Sequence, residues 1–491
     1  MRYDRRYIAV LQTAVVALKP RQTSDAFAAL LFAAVAIMPF PFASVSSVAI
    51  SLWCGLVGVA VVGLALRPPA IASPLFLAAI IAVGVASYAT ILYLQVVART
   101  PSDPLVHPIW AVASEILGIP LEASASIARG QPYLAIGTPL LNLLLFTGGY
   151  MCGADETLSR RLLRTIAWSG GLYAVYAICS YALEPNLVLW REKIAYVGNL
   201  TGTFTNRNAA AVYFGSIAIV WLLLTFRRLS LRKKRRSGKR RRPSSTGVNW
   251  RVLAVPGSFF CICLLALVLT GSRAGVACSF AGLMVAFGLN FRSEMSPRLR
   301  NWLAFGAAVV VILAIYQIFD SGLGERLETE GAAGGGRASV VASVVRMISD
   351  FPWLGSGLGS FRWSFAAYRS SEISGWGVWD RAHNVALEIA AEGGLVLAGI
   401  VVLAWIGAMA MLLRACLDPQ RSRTLPRAAL AVSTVAVLHS LIDFSLQIPA
   451  YAGTVIVLLG AALAQTQRPV AEVEAADAVN FEVNQSPESL D

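Results

Sequence analysis

Two groups of residues in this chain are of the types and spacing that could do chemistry. Between Asp320 and His383, caught between apolar runs, lie six arginines: Arg326, Arg337, Arg346, Arg362, Arg369 and Arg381. The last leads directly into Ala382, His383 and Asn384. A further arginine, Arg273, stands in the string Thr270-Gly-Ser-Arg-Ala-Gly275 between two other apolar runs. Guanidinium groups grip phosphate oxygens through paired N–H donors and stabilise charge developing on a diphosphate leaving group. An imidazole is a general base near neutral pH. Arginines at the level of a lipid headgroup plus one histidine therefore fit transfer of a sugar from a polyprenyl diphosphate to a hydroxyl.

Each residue also has an ordinary reading. Arg273 could be a snorkelling arginine that marks a helix end, and a helix-end histidine can be structural. His439 and Asp443, four apart, read as a buried structural pair, although ionisable groups at membrane depth are functional suspects by default. Glu388 and Glu392 follow Asn384 at steps of four and so share a helix face. The seven cysteines lie in or beside apolar runs without a CxxC, which suggests neither disulfides nor a zinc site.

The elements that must position these groups are membrane helices. Hydrophobic residues make up 57% and charged ones 14% of 491 residues, too apolar for a soluble domain. Windows long enough to cross a bilayer fall near 25–44, 47–66, 74–97, 133–152, 162–183, 209–226, 251–270, 275–291, 302–319, 385–413, 427–447 and 449–466. The expected fold is thus an all-α polytopic membrane protein of about twelve transmembrane helices. Arg227 to Arg242 contributes eleven of the +14 net charge, so the basicity is local. This polybasic loop, 227–250, reads as an orientation signal that stays on the inner face and rests on anionic lipid, rather than as a nucleic-acid site.

Parity then places the N- and C-termini inside. The segment 1–24, with a short apolar run at Tyr7–Leu18, reads as an interfacial amphipathic helix, and the acidic tail 467–491 as disordered. Spans one to six occupy 25–226, seven to nine 251–319, and ten to twelve 385–466. The loops sent outside are 98–132, 184–208, the turn at Gly271-Ser-Arg273, and the large loop 320–384. Within that loop Arg337 opens a predicted helix that Pro352 stops. The glycine run from Trp353 to Phe361 could let backbone amides approach an anion, and His383 begins the tenth helix.

Five strings in this order resemble the O-antigen ligase and polymerase superfamily: Gly202-Thr-Phe-Thr-Asn-Arg-Asn208, Gly271-Ser-Arg-Ala-Gly275, Arg337 upstream of Asp350-Phe-Pro-Trp-Leu-Gly-Ser-Gly-Leu-Gly-Ser-Phe361, Ala382-His-Asn384 leading into Glu392-Gly-Gly-Leu, and His439-Ser-Leu-Ile-Asp-Phe444. The resemblance covers roughly residues 130–465. It implies a metal-independent, cofactor-free glycosyltransferase of GT-C-like fold in the bacterial inner membrane, with one large periplasmic loop between helices 9 and 10. The implied donor is an undecaprenyl-diphosphate-linked glycan, and the acceptor is lipid A core or a growing glycan. By the same resemblance Arg273 and Arg337 hold the diphosphate and His383 activates the acceptor hydroxyl. Arg191, Arg207, Asn208, Arg346 and Asn384 are secondary substrate-binding residues.

One dominant outer loop leans toward a ligase, with a polymerase of the same superfamily as the alternative. A solute or anion transporter is the alternative of another class. It would need charged residues along a midplane path, for which Glu388, Glu392, His439 and Asp443 are the candidates. A structural scaffold would leave the outer arginines unexplained.

Overall fold

The computed structural model describes residues 25–66, 73–100, 102–238, 250–291, 298, 337–371, 373, 379–418 and 424–467. The predicted span at 302–319, Arg326, the N-terminal segment 1–24 and the acidic tail from 468 lie outside the described residues. In chain order the principal helices are α1 Asp25–Ile37, α2 Ser47–Ala65, α3 Pro74–Val96, α4 Ile109–Leu117, α5 Gly137–Ala154, α6 Glu156–Leu183, α7 Arg207–Gly238, α8 Trp250–Leu269, α9 Arg273–Phe291, α10 Arg337–Asp350, α11 Phe361–Tyr368, α12 Val385–Leu417, α13 Thr424–Ser440 and α14 Pro449–Thr466. A two-residue hairpin, β1 Leu187–Val188 with β2 Arg191–Glu192, is the one sheet among the described residues.

Among the described residues eight helices are long and apolar enough to cross a membrane, and the protein is a polytopic membrane protein. Eleven of the twelve sequence windows carry a helix. Their starts follow from local chemistry. Ser46, Ser73 and Asp155 accept hydrogen bonds from the first-turn amides of α2, α3 and α6, and Pro74 and Pro449 stand where a helix needs no N–H donor. Boundaries differ from expectation, most of all at the end of α7. Helix α7 does not stop at 226 but runs on to Gly238, so the polybasic stretch begins as helix. Arginine and lysine are good helix formers, and nothing before Ser237-Gly238 breaks the run.

Without a hydrophobic drive between helices in lipid, close packing needs small residues. Helices α5 and α14 cross this way. A Cβ on Gly149 would stand 2.4 Å from Val457 O, and one on Gly153 would stand 2.1 Å from Ala461 O. Helices α7 and α14 are the most enclosed of the spans and α3 the least.

Helix α12 is broken at Gly394, where φ is 82° and ψ 167°. The glycine segment Pro352–Ser360 fills the break. Leu395 N donates to Pro352 O at 2.8 Å, Ser356 N to Ala391 O at 2.9 Å, and Gly357 N to Glu392 O at 3.1 Å. From α3, Gln95 Nε2 donates to Leu354 O at 2.5 Å and Glu392 O at 2.7 Å, while its Oε1 accepts from Leu358 N at 2.9 Å. Phe361 N donates to Glu392 Oε1 at 2.8 Å. The expectation of an anion-cradling loop is therefore corrected. These amides already serve α3 and α12, because buried backbone groups must find partners within the protein.

Candidate active site

Three helix N-termini meet on one side of the bundle. Asn206 caps α7, its Oδ1 accepting from Asn208 N at 2.7 Å and Ala209 N at 3.3 Å. Ser272 caps α9, its Oγ accepting from Gly275 N at 3.2 Å. Asn384 caps α12, its Oδ1 accepting from Leu387 N at 3.0 Å while its Nδ2 donates to Leu441 O at 3.0 Å. Each is a polar cap before an apolar run, and each end carries partial positive charge.

A chain of side-chain hydrogen bonds ties these ends together. Ser272 Oγ donates to Asn208 Oδ1 at 2.7 Å, and Asn208 Nδ2 donates to Asp443 Oδ2 at 2.6 Å. The other oxygen of Asp443 lies 3.2 Å from His383 Nδ1. Asp443 is buried, its side chain 2% exposed, whereas that of His383 is 32% exposed. Burial by itself would raise the Asp443 carboxyl. The hydrogen bond and charge of His383, the charge of His439 and the amide of Phe444 outweigh it and hold the group well below the usual carboxylate range. An ionised Asp443 accepts, so Nδ1 of His383 carries the proton it donates and Nε2 keeps its lone pair for a substrate. Trp379 and Phe444 flank the imidazole, with centroids at 6.0 and 5.1 Å.

His383 does not begin helix α12 as expected. It stands in the turn before it, at φ +52°, because Asn384 takes the capping position. The expected pair of His439 and Asp443 is not one of neighbours on a helix face, although the charge of His439 does act on Asp443. Helix α13 ends at Ser440 and the chain turns, Asp443 N donating to His439 O at 2.9 Å. That turn carries the carboxylate off the helix face toward His383 and Asn208. Ser272 is thus the site residue to which sequence reasoning gave no role, and Asp443, expected as half of a buried structural pair, is the partner of His383 and Asn208.

Arg273 is the first residue of α9, next to Ser272. It is exposed, and among the described residues it carries no hydrogen bond or ion pair. Arg207 opens α7 beside it, donating from Nη1 to Asn199 Oδ1 at 3.1 Å, with its guanidinium 5.3 Å from the Tyr196 ring centroid. Gly271, at φ +65°, lets Asn199 approach. A Cβ there would lie 2.8 Å from Asn199 Oδ1. Arg207, Asn208, Arg273, His383 and Asn384 are therefore brought to one junction.

The remaining expected residues are placed otherwise. Arg337 is the first residue of α10, and its side chain lies outside what is described. Val340, Val344 and Met347 of that helix share an apolar cluster with Ala382 and Ala390, at the root of the His383 turn. Arg346 is exposed on the same helix, bonded to Ser343 Oγ and Tyr368 O. Arg191 lies on the hairpin, 4.7 Å over the Phe42 ring, and joins none of these contacts. Arg362 and Arg369 are exposed. His107 stacks on Phe351 at 4.5 Å, and its Nδ1 accepts from Ile109 N at 3.2 Å. Burial lowers it to about 4, so it serves as a neutral packing group.

The four groups that a transport path would use are engaged. Glu388 holds Ala382 N and Arg381, Glu392 holds Phe361 N, Asp443 holds His383 and Asn208, and His439 is fully buried.

Residues 258–403 match the family model described as O-Antigen ligase. The matched stretch contains Arg273, Arg337, Arg346, His383 and Asn384, while Arg191, Arg207, Asn208 and Asp443 lie outside it. No curated protein matches the chain.

Proposed function

We propose that this chain, of the O-antigen ligase and polymerase superfamily by its matched segment, is a bacterial inner-membrane glycosyltransferase of the ligase type. It would take a glycan from an undecaprenyl-diphosphate-linked donor and pass it to an acceptor hydroxyl, of lipid A core or a growing glycan, on the periplasmic face. The observation that carries this reading is the junction of the Asp443–His383 pair with the helix ends that bear Arg207 and Arg273. A basic imidazole nitrogen faces outward beside cationic groups and positive helix ends, which is the charge pattern a diphosphate and a nucleophilic hydroxyl require.

In the proposed step the acceptor oxygen attacks the anomeric carbon, and the bond from that carbon to the diphosphate oxygen breaks. His383 Nε2 takes the acceptor proton, Asp443 stabilises the resulting imidazolium, and the polyprenyl diphosphate leaves with its charge held by Arg273 and Arg337. Arg207 and Asn208 support that anion site from the α7 end, and Asn384 fixes the turn that carries His383. Arg191 and Arg346, away from the junction, would meet the glycan.

The test is glycan transfer in cells carrying Arg273→Ala, Arg337→Ala or His383→Ala. Each should abolish transfer while the protein inserts and accumulates normally; wild-type surface polysaccharide in all three would sink the proposal. A deletion strain separates the two activities of the superfamily. Full-length lipid-linked glycan should accumulate if this is a ligase, and single repeats on the acceptor would mark a polymerase.

A further inference from the structure

Resting on that reading of the site, we propose that Glu388 and Arg381 form a positioning clamp that holds His383 in its working orientation. His383 is a non-glycine residue at φ +52°, and the left-handed region is disfavoured for any residue with a Cβ. Such a conformation persists only where the surroundings determine it from both sides. On the following side, Asn384 is fixed by its cap to Leu387 N and its bond to Leu441 O. On the preceding side the fixing group is Glu388. Its Oε2 accepts from Ala382 N at 2.7 Å, and its Oε1 accepts from Arg381 Nη1 at 3.2 Å.

The arrangement is specific. Glu388 is 3% exposed, so its carboxylate is withdrawn from water and must be satisfied by protein. Arg381 neutralises it from the half-exposed side. Glu388 stands in the first turn of α12, where its own amide donates to Asn384 O at 2.9 Å, so the clamp is anchored to the helix that His383 precedes. Ala382 is buried in the apolar cluster built by α10, α11 and α12. The peptide carrying His383 is thus pinned at Ala382 N, at Asn384 and at the imidazole Nδ1, and Glu388 supplies the first pin without reaching the substrate side.

Two variants and two readouts test this. With purified protein, Glu388→Gln should lower kcat about tenfold or more, as expected for a lost hydrogen bond to a charged group, and leave KM for the lipid-linked donor within about twofold. Combined with Asp443→Asn, the losses should not multiply, because both act through His383. Multiplied losses, or a KM rise with kcat unchanged, would overturn the clamp.

The second readout needs no turnover, so it fails independently of the glycosyltransferase reading. The chain has three histidines, and their carbethoxylation by diethyl pyrocarbonate can be mapped separately. In Glu388→Gln, His383 should react faster than in the wild type while His107 and His439 react unchanged. An unchanged His383 rate overturns the proposal, as does a rise at all three, which would mean general loosening of the fold.

Discussion

His383 Nδ1 lies 3.2 Å from Asp443 Oδ1, although the two residues are 60 positions apart and belong to the turns before α12 and after α13. This pair gives the imidazole a defined tautomer and a defined direction. Asp443→Asn keeps the shape but can present an N–H where an acceptor is needed. Transfer should fall about a hundredfold or more, with normal accumulation of the protein, when assayed with lipid-linked donor in detergent. Activity within twofold of wild type would remove Asp443 from the mechanism.

The same carboxylate sets a pH dependence of stability whose sign follows from its lowered pKa. A group depressed in the folded state contributes stability that is complete above its unfolded value, about 3.9 for aspartate, and is lost as pH falls through the folded value. Wild type should therefore lose thermal stability on acidification below about pH 4 more steeply than Asp443→Asn. Parallel melting curves of the two proteins across that range would contradict the assignment.

Asn208 is the connector between two helix ends, giving Nδ2 to Asp443 and taking Ser272 Oγ on Oδ1. Asn208→Ala leaves both partners unsatisfied and should cost about 1–3 kcal/mol. Asn208→Asp should be worse for activity, because it sets a second carboxylate where Asp443 Oδ2 now accepts at 2.6 Å and competes for the proton of His383. Transfer assays that rank Asp above Ala at this position would exclude the connector role.

Much of this was legible along the chain because the signals are local. Apolar windows fixed the helices but not their ends, as where the window from 162 begins six residues after α6 does at Glu156. Arg273 and His383 stood out as charge against an apolar background. What was not legible depends on turns. That Asp443 reaches His383 is decided by where α13 stops, and helix ends are the least determined feature of a periodic pattern. The glycine run at 353–361 showed a similar limit. Glycines that admit an anion and glycines that admit a neighbouring backbone look alike in sequence, and only the approach of Gln95 and Glu392 distinguishes them.

Arg273 offers a test of charge against geometry. It is exposed and carries no hydrogen bond or ion pair with another described residue, so Arg273→Lys and Arg273→Ala should each change thermal stability by less than about 0.5 kcal/mol. A lysine retains the charge but not the forked pair of donors that fits a diphosphate. Transfer should therefore fail in Arg273→Ala and remain severely reduced in Arg273→Lys. Full activity of the lysine variant would mean that Arg273 acts only as a diffuse positive charge.

Glycines in α12 separate the latch of the broken helix from ordinary helix. At Gly394 φ is 82°, and a Cβ would stand 2.0 Å from Trp353 O and 2.9 Å from Leu354 N, both backbone atoms that cannot swing aside. Gly394→Ala combines strain with a collision and should destabilise the protein by about 3 kcal/mol or more. It should also loosen the segment that leads through Phe361 toward His383, so donor turnover should fall with stability. Gly399, five residues further along the same helix, has open space where a Cβ would go. Gly399→Ala should be neutral or stabilising by up to about 1 kcal/mol. Thermal unfolding of both variants in the same detergent measures the contrast. Equal melting temperatures would show that the break at Gly394 is not held by the Pro352–Ser360 segment.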